Sequence, residues 1–380
     1  MGQEGEPSRM KPVLLVIGTR PEAIKMLPVA RALRGQPSLA PVILVTGQHR
    51  HMLDQVFEAF GERADIDLDL MAPGQTLTDI TVRVLERMAA VLAERDPALV
   101  LVHGDTTTAM AAALAAFYAR IPVGHVEAGL RSHDMTRPWP EEYNRVAIDA
   151  TAALLFAPTE GAAENLRRET PAARRIVVTG NTGIDALLYI AAKIDAGDAP
   201  PIAARLDPTR RLVVVTGHRR ESFGDGFDRI CDAIERIAAR PDVEIVYPVH
   251  LNPNVQDVVM RRLSGLDNVQ LLSPVGYVDM VALMKRAALV LTDSGGIQEE
   301  APALGKPVLV MRDITERPEA VETGVASLVG TDADRIVAEV FRLLDDEVYY
   351  ASRARPVFPY GDGRAAERIA ATVADFARNA

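Results

Sequence analysis

The 380-residue chain is 48% hydrophobic and 25% charged, with a formal net charge of −10. At roughly 100–200 residues per domain this length predicts two domains, and the acidic balance argues against non-specific nucleic-acid binding, which needs clustered Lys and Arg. One cysteine, Cys231, excludes an intramolecular disulfide, no apolar run is long enough to span a membrane, and the polar start MGQEGEPSRM lacks a secretory signal's apolar core, so a cytoplasmic protein is expected.

Residues 1–9 read as a leader ahead of the fold. From there, short apolar runs alternate with helix-patterned stretches: 13–17, 42–45, 99–102, 123–126, 154–156 and 176–178. After an Ala-, Asp- and Pro-rich break near 193–210 come 212–215, 244–247, 269–272, 289–291 and 308–310. Continuous apolar strands separated by helices predict a parallel sheet covered on both faces. Two such sets predict an α/β protein of two doubly wound Rossmann-like domains, at 10–190 and 205–363. A last helical stretch, 364–380, is expected to pack on the first domain. In such sheets the ligand lies beyond the carboxyl ends of the strands, here in a cleft between facing domains. Chemistry-bearing residues should therefore follow the strands directly.

The first strand ends in Gly18-Thr19-Arg20-Pro21-Glu22, and the next helix carries Lys25. Two cations at a helix start suit an anion; the plainer alternative is a capped helix with solvated charges. This is neither the three-glycine dinucleotide fingerprint nor a Walker loop, so no nicotinamide is expected. Strand 99–102 leads into His103-Gly104-Asp105, strand 123–126 carries His125 and leads into Glu127, and Glu141 soon follows. Any one of these acids reads as a helix cap. Three carboxylates gathered at one sheet end cost stability, and so point to chemistry. His103/Asp105 and His125/Glu127 are spaced for one strand face, which would suit a metal-assisted hydrolase. The seven histidines include no helical His-x-x-x-His pair and no Cys partner, so hydrogen-bonded core histidines are the plainer reading and no metal is expected.

In the second half, strand 212–215 leads into Thr216-Gly217-His218-Arg219-Arg220, and strand 244–247 into Pro248-Val249-His250. Strand 289–291 leads into Thr292-Asp293-Ser294-Gly295-Gly296. Ser-Gly-Gly at a helix start is a phosphate cradle of unhindered N–H groups, a hydroxyl and the helix dipole. Glu300, about a turn further on, suits the two hydroxyls of a ribose, and Arg317 adds positive charge.

With GTRPEAIKMLP, VHGDTTT, IPVGHVEAGLRS, PWPEEYNR, TGNTGIDAL, TGHRRESFG, YPVHLNPNV and TDSGGIQEEAPALGKPVLVMRDITERPEA in order, the chain resembles the non-hydrolysing UDP-N-acetylglucosamine 2-epimerase family over 12–363. The resemblance implies a glycosyltransferase-B fold whose C-terminal helix crosses back to the first domain, and a homodimer. It implies cofactor-free, reversible C2 epimerisation of UDP-N-acetylglucosamine to UDP-N-acetylmannosamine, by anti elimination of UDP to 2-acetamidoglucal and re-addition. Asp105, Glu127, Glu141 and His218 match the family's catalytic residues. Arg20, Lys25, Arg145, Ser294, Gly295, Gly296, Glu300 and Arg317 match its nucleotide-sugar contacts. Val275 and Met280 stand where the family often has Gln and Phe around the uracil. Gln48, His49 and His250 match parts of an activating second UDP-N-acetylglucosamine site of bacterial members, although His51 replaces a common Gln. The alternatives are the same scaffold acting on another UDP-acetamidosugar, and a hydrolysing epimerase releasing N-acetylmannosamine.

Overall fold

The apolar runs lie side by side in a computed structural model of the protein, which describes residues 10–379 except 48, 49, 73, 170–173, 200, 201 and 203. The first sheet contains β1 (Lys11–Ile17), β2 (Leu39–Val45), β3 (Ile66–Asp67), β4 (Leu99–His103), β5 (Val123–Val126), β6 (Leu154–Ala157) and β7 (Arg175–Val178). The second contains β8 (Arg211–Thr216), β9 (Val243–Pro248), β10 (Val269–Leu272), β11 (Leu289–Thr292), β12 (Val308–Val310) and β13 (Ala326–Leu328). Their spatial orders are β3-β2-β1-β4-β5-β6-β7 and β10-β9-β8-β11-β12-β13. Every neighbouring pair is parallel. Helices on both faces leave the central strands no solvent side, which is why residues 13–17 and 99–102 are apolar without alternation and fully buried.

Each sheet is wound outward from its first strand, so the chain direction reverses between β1 and β4 and again between β8 and β11. These switch points splay the loops apart and leave a crevice at the strand ends. The segments after β1, β4, β8 and β11 are those that carry Arg20, Asp105, His218 and Ser294.

The molecule divides into two compact units. One runs to Leu188 and resumes at Tyr360, and the other is Tyr189–Pro359. The first unit thus includes the C-terminal helix Ala365–Asn379, which buries Ile369, Ala370, Val373 and Ala374 and packs against the helix Arg20–Arg34. Asp185 caps its start, accepting from the Ala365 and Ala366 amides at 3.2 and 2.8 Å. Lys11 Nζ donates to the Ala377 carbonyl near its end.

Candidate functional site

Two clusters of polar side chains stand at the switch points, one in each unit. In the first, Thr19 caps the helix Arg20–Arg34 in a capping box with Glu22. Glu22 is buried and accepts from the Gly18 amide at 2.7 Å, the Thr19 amide at 2.5 Å and the Thr106 hydroxyl at 2.7 Å. It therefore ties the loop after β1 to the loop after β4. Burial pushes its carboxyl upward, against those hydrogen bonds. Arg20, half-buried at the same helix start, has no hydrogen-bond or ion-pair partner among the described residues, and burial lowers its pKa. A partly desolvated guanidinium at the positive end of a helix is suited to an anion. Lys25, one turn on, instead donates to Glu127.

Gly104 makes a left-handed turn (φ 65°) after β4 and delivers Asp105. Arg145 donates to the Asp105 carboxylate, and Asn144 Nδ2 donates to the Asp105 carbonyl at 2.9 Å. Burial pushes the Asp105 carboxyl up; Arg145 pulls it down, and the charges of Glu127 and Glu141 push it up again. The three acids thus act within one electrostatic field. Glu127 itself sits at φ 69°, a conformation costing a β-carbon-bearing residue about 1 kcal/mol or more. His103 Nε2 lies 3.2 Å from its Oε2. His103 is fully desolvated, which lowers its pKa to about 3, so the ring is neutral at physiological pH.

Glu141 opens the helix Glu141–Thr151, half-buried and without a hydrogen-bond or ion-pair partner among the described residues. Its neighbour Glu142 is buried and accepts from the Ser132 and His133 amides, both at 2.9 Å. That contact fastens the loop after β5 to the helix carrying Glu141 and Arg145.

In the second unit the buried carboxylate of Asp293 accepts from the backbone amides of His218 and Arg219 at 2.7 and 2.8 Å. The His218 ring lies 3.3 Å from the other Asp293 oxygen and stacks on His250, ring centroids 5.3 Å apart. Burial lowers the pKa of His218; Asp293 opposes this, and His250 and Arg219 add to it. Ser294 starts the helix Gly295–Ala303, and its side chain makes no cap bond there. The Arg317 guanidinium lies over Gly295, where a β-carbon would come within 2.6 Å of it. Arg317 is held there by Glu299 at 2.6 Å and Glu316 at 2.7 Å. Val275 and Met280 flank the start of the helix Tyr277–Arg286, both partly buried. Tyr277 donates to Glu300 at 3.2 Å. Gln48 and His49 lie outside the described residues.

A family model for UDP-N-acetylglucosamine 2-epimerase matches residues 31–374. The UDP-N-acetylglucosamine 2-epimerase of Escherichia coli K12 is 56% identical over 363 residues, 94% of this chain and 96% of that protein. The chain belongs to the UDP-N-acetylglucosamine 2-epimerase family. A crystal structure of the Neisseria meningitidis UDP-N-acetylglucosamine 2-epimerase bound to UDP-N-acetylglucosamine is 44% identical and superposes with a TM-score of 0.88, covering 96% of this chain and all of that one. The Methanocaldococcus jannaschii enzyme, in complex with UDP-N-acetylglucosamine and UDP, is 33% identical with a TM-score of 0.75, covering 95% and 99%. The fold is of the glycosyltransferase-B type: two Rossmann-like α/β domains.

Several residues of this family member escape a reading that looks only behind strands. Glu22 is legible as the Thr-x-x-Glu of a capping box. Tyr277, Asn144, Arg131 and Asp149 are not, because each lies on a helix or loop and acts on a residue distant in sequence: Asn144 and Asp149 reach back to Asp105 and His125, Arg131 pairs with Asp149, and Tyr277 reaches Glu300 on another helix. Among the described residues no three His, Cys, Asp or Glu side chains form a group able to hold a metal ion.

Proposed function

We propose that the protein interconverts UDP-N-acetylglucosamine and UDP-N-acetylmannosamine by eliminating and re-adding UDP. The observation that carries this reading is the set of Asp105, Glu127 and Glu141, in which the charges of Glu127 and Glu141 both reach the Asp105 carboxyl, in a member of this family. A binder of an anionic ligand gains nothing from three acids, whereas this chemistry needs them. The C2 proton has no carbonyl beside it. Its removal accompanies cleavage of the C1–O bond, which leaves UDP, a C1=C2 double bond and a protonated base. Return of UDP to C1, with a proton delivered to the other ring face, completes the inversion. One carboxyl on each face and a negative charge near the developing cation at C1 are the minimum requirement.

The second unit's cluster suits the leaving group: His218, Arg317 and the amides of the Ser294-Gly295-Gly296 helix start match the needs of a departing diphosphate, as does Arg20 in the first unit. Glu300, steadied by Tyr277, suits the ribose hydroxyls. Val275 and Met280 are assigned to the uracil, and Lys25 and Arg145 to holding Glu127 and Asp105 in place. The reading includes a cytoplasmic homodimer; exposed Phe117 and Tyr118 give it a candidate face, and light scattering decides it. His250, with Gln48 and His49, is kept for an activating second nucleotide-sugar site, and a rate curve without a lag at low substrate would remove that assignment.

Proton NMR of the purified protein with UDP-N-acetylglucosamine in deuterated water tests the proposal. UDP-N-acetylmannosamine with deuterium at C2 is the expected result. Free N-acetylmannosamine would show a hydrolysing enzyme, and no exchange at all would overturn the assignment of substrate.

A further inference from the structure

His125, wholly buried on β5, meets an acceptor at each ring nitrogen. Nε2 lies 2.8 Å from the Gly104 carbonyl oxygen, and Nδ1 lies 2.6 Å from Asp149 Oδ1. A carbonyl only accepts, so Nε2 carries a proton. The state of Nδ1 then depends on Asp149. Its second oxygen accepts from the Gly129 amide at 3.2 Å and pairs with Arg131 at 2.8 Å, where both side chains are 2% exposed. A neutral Asp149 would strip a buried guanidinium of its inner counter-charge, an arrangement that costs several kcal/mol. An ionised Asp149 has no proton to give, so Nδ1 must carry its own. Arg131 pairs outward with Glu169 at 2.7 Å. The row His125, Asp149, Arg131, Glu169 therefore alternates in sign and leaves no buried charge uncompensated.

We infer that His125 is a buried imidazolium and the positioning residue for the three candidate acids. Its Nε2–H grips Gly104, the residue before Asp105. Its own backbone stands two residues before Glu127. Its Nδ1–H grips Asp149, on the helix that Glu141 opens. One doubly donating ring thus ties together the three segments that deliver the acids, and a neutral ring would have to release one of them. The positioning role rests on the epimerase reading; the protonation state does not.

The test uses the full-length protein with ring-15N histidine at pH 7.5. The His125 signal, assigned by its loss in His125→Gln, is expected to show two protonated nitrogens, and one bare nitrogen overturns the inference. If that variant does not fold, at least one of the seven rings in the wild type must still show two protonated nitrogens in slow exchange with water; none overturns it. Kinetically, Asp149→Asn should convert His125 to a singly protonated ring and lower kcat roughly 10- to 100-fold, with KM changed by no more than about threefold. Unchanged kcat with an altered ring overturns the positioning role. A wild type that binds but does not epimerise UDP-N-acetylglucosamine refutes the proposed function, and leaves the nitrogen count to stand or fall by itself.

Discussion

His103 Nε2 lies 3.2 Å from Glu127 Oε2 but off the line that a hydrogen bond requires, so the ring faces the carboxylate without bonding to it. Its ring titrates near pH 6.5 when unfolded and near 3 when folded. Between those values the unfolded chain binds a proton that the native chain does not. Stability is therefore complete above pH 6.5 and is lost as pH falls through the window, by up to about 1.4 kcal/mol per pH unit. His103→Gln should flatten this acid limb when urea midpoints are compared between pH 7.5 and 4.5. An unchanged slope would show that the site is not the source.

The left-handed backbone at Glu127 predicts a trade between stability and activity. Glu127→Gly and Glu127→Ala both remove the carboxylate, so their difference reports the backbone alone. The glycine variant should be more stable by about 1 kcal/mol in thermal or urea unfolding, and both should be inactive. Equal stability would mean that the turn is not strained.

Replacing the acids singly by their amides should separate chemistry from binding. Asp105→Asn and Glu141→Gln are each expected to lower kcat by about 100-fold or more while KM stays within severalfold. Deuterium exchange at C2 is the readout. Near-full exchange in both variants would remove these residues from the proton path.

At His218 the expected signature is a proton taken up on binding. Burial, His250 and Arg219 hold its pKa down against Asp293, whereas a bound diphosphate would favour the cation. UDP binding near pH 6.5 should therefore be accompanied by proton uptake, measured calorimetrically in buffers of different ionisation enthalpy. The uptake should vanish in His218→Gln; if it persists there, another group is titrating.

Tyr277→Phe removes one hydrogen bond to Glu300 and leaves the ring in place. UDP affinity should fall roughly fivefold, the equivalent of about 1 kcal/mol, with kcat at saturation retained. A fall in kcat alone would argue that Glu300 is not a ribose ligand.

Much of the fold could be read from the chain because a parallel sheet with two covered faces writes its strands as unbroken apolar runs. Leu14 and Val16 face one layer while Val13 and Leu15 face the other, so all four had to be apolar. β3 has only two residues, and in β13 Ser327 interrupts the apolar run, so neither stands out. The strand orders were not legible, since they depend on which side each crossover passes. Parallel strands also end on the same side, which is why residues directly after them were informative. What stayed hidden were the supports. Asp149 is eight residues beyond Glu141 on a helix, and nothing in that spacing says that it reaches His125. The pairing of Lys25 with Glu127 spans 102 residues of sequence.

The return of the last helix to the first unit sets an order of events during synthesis. The unit that carries the acids begins to emerge from the ribosome first, yet its outer layer is completed only by residues 365–379, after all of Tyr189–Pro359 has been made. The intervening unit has its whole chain available earlier. A premature stop near residue 360 would leave that unit's sequence intact while stripping its neighbour of a packing partner, so damage after residue 360 falls on a unit translated well before it.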